Sequence, residues 1–300
     1  MLSLDSYYFI FVMDKKQPVS RLKYVLYGVL AFFMLFTFEV NAENKPKIAL
    51  IIDDMGLNRE LGRSALQLNG AVTYSFLVNA PYARELADSA HEKGKQLMLH
   101  APMQAIAKYE HEAGELKAEM PVGVFSQLLT RQLNSIPHIA GVNNHKGSLL
   151  TQDYQAMSRV MSVIKQQAGT ALFFVDSKTI QTSIAGRVAK EFGLAVRARD
   201  VFLDHDAPDQ AEIRKQFKRL VEIARAKGSA LGIAHPRKES LQVLREELSR
   251  LADYGVQLVP ASELTQAPRN EVITKRVSRS IPAFESEPVK QIPAGEFDLF

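Results

Sequence analysis

The sequence predicts an α/β fold, a (β/α) barrel with seven or eight parallel strands, on three observations. Between about residues 47 and 264, apolar runs typical of buried strands alternate with amphipathic segments typical of helices. Runs such as "SFLV" and "ALFF" are apolar throughout, as parallel strands covered on both faces are. The helical segments end at glycines, and another apolar run follows each of them. A doubly wound open sheet is the rival architecture, because it shows the same alternation.

About eight strands are expected, and most of them lead into a helix. The strand-like runs lie near 47–52, 72–78, 95–99, 138–142, 170–175, 194–198, 229–234 and 256–260. The clearest helix has an N-cap at Asp209, an apolar stripe at helical spacing and a C-terminal glycine at Gly228. Further helices are expected to start at Thr151 and Ser183, and another to end at Gly255.

Composition limits the class of protein. With 300 residues, 46% hydrophobic and 23% charged, the chain is long enough for one large globular domain. The net charge of +4 is small and lies partly near the N-terminus, so no nucleic-acid partner is inferred. The chain has no cysteine. An exported domain must therefore rely on its core alone, and any metal must be held by histidine and carboxylate.

The first 42 residues predict export. A basic stretch precedes the apolar run 25–38, and a small-x-small cleavage site follows. We expect a secretory signal peptide, or an uncleaved N-terminal anchor that would be the only membrane association, and a periplasmic location. Translation from Met13 would leave a signal of ordinary length. Residues 43–265 then form the barrel, and the proline- and charge-rich segment 266–300 is expected to be a flexible tail.

Polar residues that can do chemistry end several strand-like runs. The carboxyl ends of parallel strands share one rim, so these residues are expected to converge there. Asp53 and Asp54 would repel each other unless a cation or a proton lies between them. A divalent metal resolves this, since one carboxylate can bind it while the other accepts a proton from water. Asp54, His100 and His145 form the type of three-ligand set that zinc favours.

Other residues at this rim are assigned to supporting roles. His235 ends a late strand and is a candidate general acid. The residues assigned to substrate binding or to the support of metal ligands are Asn143, Asn144, Ser148, Asp176, Ser177, Arg199, Asp200 and Asp204. Ser177 has no histidine base close in sequence, so a serine hydrolase is not predicted. The remaining histidines, which are interpreted as structural, loop or exposed residues, are His91, His111, His138 and His205.

The segments "IIDD", "LHAPM", "GVNNHKGS", "FVDS", "FLD" and "IAHP" together resemble the divergent polysaccharide deacetylase family. That family is a distant branch of the NodB-type carbohydrate esterases. The resemblance implies that Asp53 is the catalytic base, Asp54 a metal ligand and His235 the general acid. The His-x-x-x-His pair of NodB-type enzymes is absent, so His100 is assigned as the second imidazole beside His145. The implied activity is zinc-dependent removal of N-acetyl groups from a polysaccharide or peptidoglycan.

Two alternatives remain open from the sequence. The first is a catalytically inactive glycan-binding or envelope-assembly protein on the same fold, which the missing His-x-x-x-His pair favours. The second is a metal-free glycoside hydrolase that uses Asp53 with Asp176 or Asp200 as its acid and base. Metal content separates the second alternative from the deacetylase.

Overall fold

The computed structural model describes residues 45–106, 113–167, 171–205 and 209–265. The strands are β1 (Lys47–Met55), β2 (Thr73–Leu77), β3 (Gln96–Met103), β4 (Ile139–Lys146), β5 (Phe173–Asp176), β6 (Val196–Ala198), β7 (Val201–Phe202), β8 (Ser229–Ala234) and β9 (Gln257–Leu258). The helices are α1 (Arg59–Ala65), α2 (Ala83–Glu92), α3 (Val122–Ser135), α4 (Tyr154–Gln166), α5 (Ala185–Glu191), α6 (Gln210–Lys227), α7 (Lys238–Leu248), α8 (Leu251–Tyr254) and α9 (Ala261–Leu264).

Both predicted terminal segments, 1–42 and 266–300, lie outside the described residues. No helix of the described part is long and apolar enough to cross a membrane.

The predicted α/β barrel is confirmed. All strands lie in one parallel sheet of order β6-β5-β4-β3-β2-β1-β8-β7, with β9 paired to the start of β1. The order follows the chain from β1 to β6 and then returns to β1 through β8, without the reversal of a doubly wound sheet. All eight expected strands are present, and β7 is an addition that the sequence analysis missed.

Residues 196–202 bridge the two edges of the curled sheet. The first half of this segment, β6, pairs with β5, and the second half, β7, pairs with β8. Only Arg199 and Asp200 separate the two halves. We call the junction of this segment with β8 the seam of the barrel. Asp200 holds the seam, because its backbone N–H donates to Leu231 O at 2.8 Å and its carboxylate accepts the Leu231 N–H at 3.0 Å. Arg197 Nη2 donates to the same carboxylate at 2.8 Å.

The core has two parts that follow the alternation of the strands. One face of the sheet packs against the helices through a large cluster that includes Ile48, Leu50 and Ile52. The other face encloses a smaller cluster from β1, β3, β5 and β8, which includes Ile51 and Phe173 and is closed by Val259, just after β9, and by residues of α9. Successive residues of a strand point to opposite faces, so the inward positions of each strand lead up to the carboxyl rim.

Replacing Asp200 by alanine is expected to destabilise the barrel without touching the rim. The Leu231 N–H is buried, and losing its acceptor costs about 1–3 kcal/mol of unfolding free energy. Urea denaturation measures this loss. Glu191→Ala is the matched control, because it removes an exposed ion pair with Arg187 that is worth about 0.5 kcal/mol or less. Equal midpoints for the two variants would show that Asp200 does not hold the seam.

Candidate metal centre

Three side chains converge at the carboxyl rim of the barrel. Asp54 Oδ1 lies 3.3 Å from His100 Nε2 and 3.2 Å from His145 Nδ1. The two imidazole nitrogens are 3.1 Å apart. His100 is buried, whereas Asp54 and His145 are partly exposed, so the cluster is reached from the rim. Within the described residues this is the one group of three or more His, Asp or Glu side chains with converging ligand atoms.

The residues fit a divalent cation. A tetrahedral zinc ion with bonds of about 2.0–2.2 Å separates its ligand atoms by about 3.3–3.6 Å, close to the three distances in this cluster. Asp54 Oδ1 is buried and makes no hydrogen bond within the described residues. Burial raises the pKa of Asp54, but contacts with His100 and His145 outweigh it and hold that pKa well below its usual value. A cation bound here would supply the partner that this carboxylate oxygen lacks.

The local backbone explains why both aspartates reach the centre. Asp53 follows Ile51 in the inward phase of β1, so its side chain enters the barrel. By strand alternation the side chain of Asp54 would point to the outer face of the sheet. Its φ of 54° instead places the backbone in the left-handed region, which aspartate tolerates better than most residues. The register of β1 against β2 shifts between Ile52 and Met55. This irregularity lets Asp54 face His100 and His145 across the rim.

Asn143 lies below the cluster and forms hydrogen bonds with Asp53, Ser75 and His100. Its Nδ2 donates to the two carboxylate oxygens of Asp53 at 2.9 and 3.1 Å, which fixes the orientation of the amide. Its Oδ1 therefore accepts from Ser75 Oγ at 2.6 Å and from His100 Nδ1 at 2.9 Å. In the neutral His100 ring, the lone pair then lies on Nε2, which points at Asp54. Such outer hydrogen bonds orient metal ligands and set their tautomer.

Ser75 is a site residue that the sequence analysis missed. It is fully buried in β2, and its hydroxyl group holds Asn143. A signal was present, because Thr73 and Ser75 are the polar residues of an otherwise apolar strand and occupy alternate positions. This spacing places both side chains on the inward face.

Asp53 lies beneath the cluster in a nearly closed environment. It is 3% exposed, and Oδ2 lies 3.7 Å from His100 Nε2. Burial raises the pKa of Asp53 above its usual value, and the neighbouring His100 and His235 only partly oppose this shift. A carboxylate with a raised pKa accepts a proton more readily than one in water.

His235 stands on the opposite side of Asp54 and is held by Asp204. His235 Nε2 is 3.8 Å from Asp54 Oδ2, and Nδ1 is 2.8 Å from Asp204 Oδ1. Asp204 is fully buried, and it also accepts the backbone N–H of His235 and the hydroxyl of Ser240. Burial lowers the pKa of His235, but Asp204 outweighs it and raises that pKa above its usual value. The ring is thus kept ready to carry a proton on Nε2.

Polar residues at and just after the ends of β4 and β5 hold the rim loops. Asn144 accepts the Ser177 N–H at 2.9 Å and donates to Lys146 O at 2.8 Å. Ser177 Oγ accepts a hydrogen bond from Asn143 Nδ2 at 3.1 Å, which places this serine beside Asn143. Ser148 Oγ accepts the Ile106 N–H, so it ties two loops together.

Three other predicted residues make no direct contact with the metal ligands. Asp176 is buried, and its carboxylate accepts from Lys178 N and Ser183 Oγ within its own loop. Asp200 holds the seam at Leu231, four residues or about 13 Å along the strand from His235. Arg199 donates to backbone carbonyls rather than to a carboxylate.

The remaining histidines take no part in the cluster. His91 and His138 stack on each other with ring centroids 3.7 Å apart, and His138 lies near the exposed Asp88. His205 is exposed and packs against Phe202. His111 lies outside the described residues.

The fold and the cluster together define a class: a parallel (β/α) barrel with an Asp–His–His group at its carboxyl rim. Residues 50–265 match the divergent polysaccharide deacetylase family, and the chain belongs to that family.

Two proteins are similar to the chain in sequence, and a solved structure shares its fold. The chain is 34% identical over 247 residues to the uncharacterized protein YibQ of Escherichia coli, which covers 82% of this chain and 76% of YibQ. It is 32% identical over 254 residues to an uncharacterized protein of Haemophilus influenzae, covering 85% of this chain and 86% of that protein. The crystal structure of an uncharacterized protein from Agrobacterium tumefaciens shares the fold, with a TM-score of 0.69 at 23% identity, covering 75% of this chain and 91% of that one.

Proposed function

We propose that this protein is an exported, metal-dependent hydrolase that removes N-acetyl groups from a polysaccharide or peptidoglycan. The observation that carries the proposal is the convergence of Asp54, His100 and His145 between two proton-transfer groups, Asp53 and His235. Family membership supports the substrate class. The two imidazoles and one carboxylate favour zinc among the divalent ions.

The protein side chains divide the chemistry between them. A divalent ion held by this cluster supplies Lewis acidity. Asp53 takes a proton from the water that attacks the acetyl carbon, and its raised pKa suits that task. Asn143 keeps the Asp53 carboxylate in place during the transfer. His235 gives a proton from Nε2 to the amide nitrogen as the C–N bond breaks, while Asp204 stabilises its charged ring. The products are acetate and a free amine on the sugar.

The glycoside hydrolase alternative loses support from the geometry. Asp176 and Asp200, the carboxylates that would act with Asp53, are both engaged in hydrogen bonds that hold a loop and the barrel seam. A general acid or base must also reach the bond that is cleaved, whereas Asp200 lies at Leu231, about 13 Å along the strand from His235.

Acetate release tests the proposed function. The purified full chain is loaded with zinc and incubated with N-acetylated chito-oligosaccharides and with peptidoglycan, alongside a sample stripped with chelator. We expect acetate and free amines only in the zinc-loaded sample. Glycan binding without acetate release under zinc-saturating conditions would contradict the activity and favour the inactive glycan-binding alternative.

Export is a separate part of the proposal and has its own test. The leader pattern of residues 1–42 supports it. Cell fractionation followed by N-terminal sequencing is expected to find the mature chain outside the cytoplasmic membrane. An intact N-terminus in the membrane fraction would instead show an anchor, and a cytoplasmic chain would contradict export.

Replacing His235 by glutamine is expected to lower turnover by about 100-fold or more, because the leaving amine then lacks its proton donor. The zinc content is expected to stay unchanged, since His235 is not among the three converging ligands. The wild-type rate is expected to fall as pH rises past the raised pKa of His235, when the ring loses its proton. Steady-state rates across pH for both proteins check this, and unchanged turnover in the variant would remove the general-acid role.

A further inference from the structure

Arg199 is a half-buried cation at the rim for which no described carboxylate serves as an ion-pair partner. Its Nε donates to Ser177 O at 2.6 Å and its Nη2 to Lys178 O at 2.8 Å. Its guanidinium stacks on the Phe202 ring, 4.6 Å from the centroid. A guanidinium has five N–H donors. Three of them, two on Nη1 and one on Nη2, therefore find no acceptor among the described residues, and they form the planar edge of the group.

Arg199 lies beside the catalytic groups proposed above. Ser177, whose carbonyl it holds, accepts a hydrogen bond from Asn143, which in turn holds Asp53. Phe202, on which it stacks, packs against the His235 ring with centroids 5.3 Å apart. Burial lowers the pKa of Arg199, and the negative charges of Asp53 and Asp176 oppose that shift. A ligand group bound by Arg199 would thus lie on the same rim as Asp53 and His235.

Several charges around the centre have partners within the described residues. Asp204 pairs with His235, and Asp176 lies 3.9 Å from Lys178 Nζ. Asp53 and Asp54 together carry the charge that a divalent ion balances. Arg199 and Arg237 have no carboxylate partner among the described residues. Arg237 donates to Asp204 O, whereas Arg199 keeps a free planar edge and holds Ser177, next to Asn143. A guanidinium stays charged in proteins, so the unmatched charge persists at every physiological pH.

We propose that Arg199 binds a carboxylate substituent of the glycan, so that the protein prefers an acidic sugar to a neutral N-acetylated polymer. The inference rests on the proposed action on a glycan. Two parallel N–H groups on a planar edge match the two oxygens of a carboxylate. One unmatched charge fits a monoanion better than a phosphate monoester, which carries about 1.5 to 2 negative charges at pH 7.

Paired ligands that differ in one charge test this proposal. The ligands are an oligosaccharide of alternating N-acetylglucosamine and N-acetylmuramic acid, and the methyl ester of its carboxylates. Isothermal titration calorimetry of the zinc-loaded full chain is expected to show at least about tenfold tighter binding of the acid, a typical gain for a charge-assisted hydrogen bond. In Arg199→Gln, the acid and the ester are expected to bind equally, with the affinity for the ester unchanged.

Two variants separate recognition from structure. Arg199→Lys keeps the charge but loses the planar edge, and we expect it to recover only part of the preference. Arg187→Gln removes another rim arginine, which lies over Tyr154 and pairs with Glu191, and it is expected to keep the full preference. Zinc content and thermal midpoint are measured for each variant. A variant that has lost the fold would bind neither ligand, whereas loss of a recognition contact removes only the difference between them.

The outcomes also separate this proposal from the proposed function. Equal or undetectable binding of both ligands by the wild type, or a preference that persists in Arg199→Gln, would overturn the proposal even if acetate is released. A preference that depends on Arg199 would uphold it even if neither ligand is hydrolysed.

Discussion

Replacing His145 by alanine is expected to abolish tight zinc binding and hydrolysis together. His145 supplies one of three converging ligand atoms, and Asp54 and His100 alone leave two protein bonds to the ion. Outer hydrogen-bond partners of metal ligands are worth about 10–100-fold in affinity, so loss of a direct ligand should weaken binding by more than about 100-fold. Metal analysis after dialysis and the acetate-release assay measure the two effects. The barrel should persist, since His145 lies at the rim outside the core.

His138→Ala is the matched control. It also removes a histidine from the region of β4, but His138 lies at the opposite end of that strand and stacks on His91. Its zinc content and rate are expected to equal those of the wild type. Full zinc occupancy in both His145→Ala and Asp54→Ala would show that the ion binds elsewhere or that the ligand set is wrong.

Replacing Asp53 by asparagine is expected to lower turnover by about 10²–10⁴-fold while leaving zinc bound. The change keeps the size of the side chain and removes its ability to take a proton. Because Asp53 is buried and bonded to Asn143, some reorientation of the two amides is expected, but His100 keeps its contact with the Asn143 carbonyl oxygen. Single-turnover rates combined with metal analysis distinguish this effect from loss of the ion.

Asp54→Asn is the informative comparison for the adjacent carboxylate. It is expected to lose zinc and turnover together, whereas Asp53→Asn loses turnover alone. The reverse pattern, with zinc lost in the Asp53 variant and retained in the Asp54 variant, would exchange the two assigned roles. Unchanged turnover in Asp53→Asn would remove the base from the proposed chemistry.

Strand alternation explains why much of this centre could be predicted from the sequence. His100 follows Met98 by two residues, and Asn143 and His145 follow Gly141 in the same phase. Inward apolar positions therefore lead directly to inward polar ones at the rim. Gly141 itself leaves room for the Phe173 ring, which a Cβ would meet at 2.6 Å.

Other features of the site depend on backbone geometry, which the alternation of residues along the strands does not reveal. Asp54 is out of phase in β1 and reaches the cluster only through its left-handed conformation. The two-residue strand β7 is too short to show any periodicity, so the seam was not predicted. Asp176, Asp200 and Asp204 look alike in sequence, as acidic residues at or after strand ends. Only their hydrogen bonds show that Asp204 alone supports a group at the centre.

The measurement that tests the central claim most directly is anomalous diffraction at the zinc absorption edge from crystals of the zinc-loaded protein. We predict one strong peak about 2.0–2.2 Å from Asp54 Oδ1, His100 Nε2 and His145 Nδ1. Data collected below the edge provide the control, because a zinc peak weakens there. An absent peak at this position, or a peak bound by other residues, would contradict the assignment of this cluster as the metal centre.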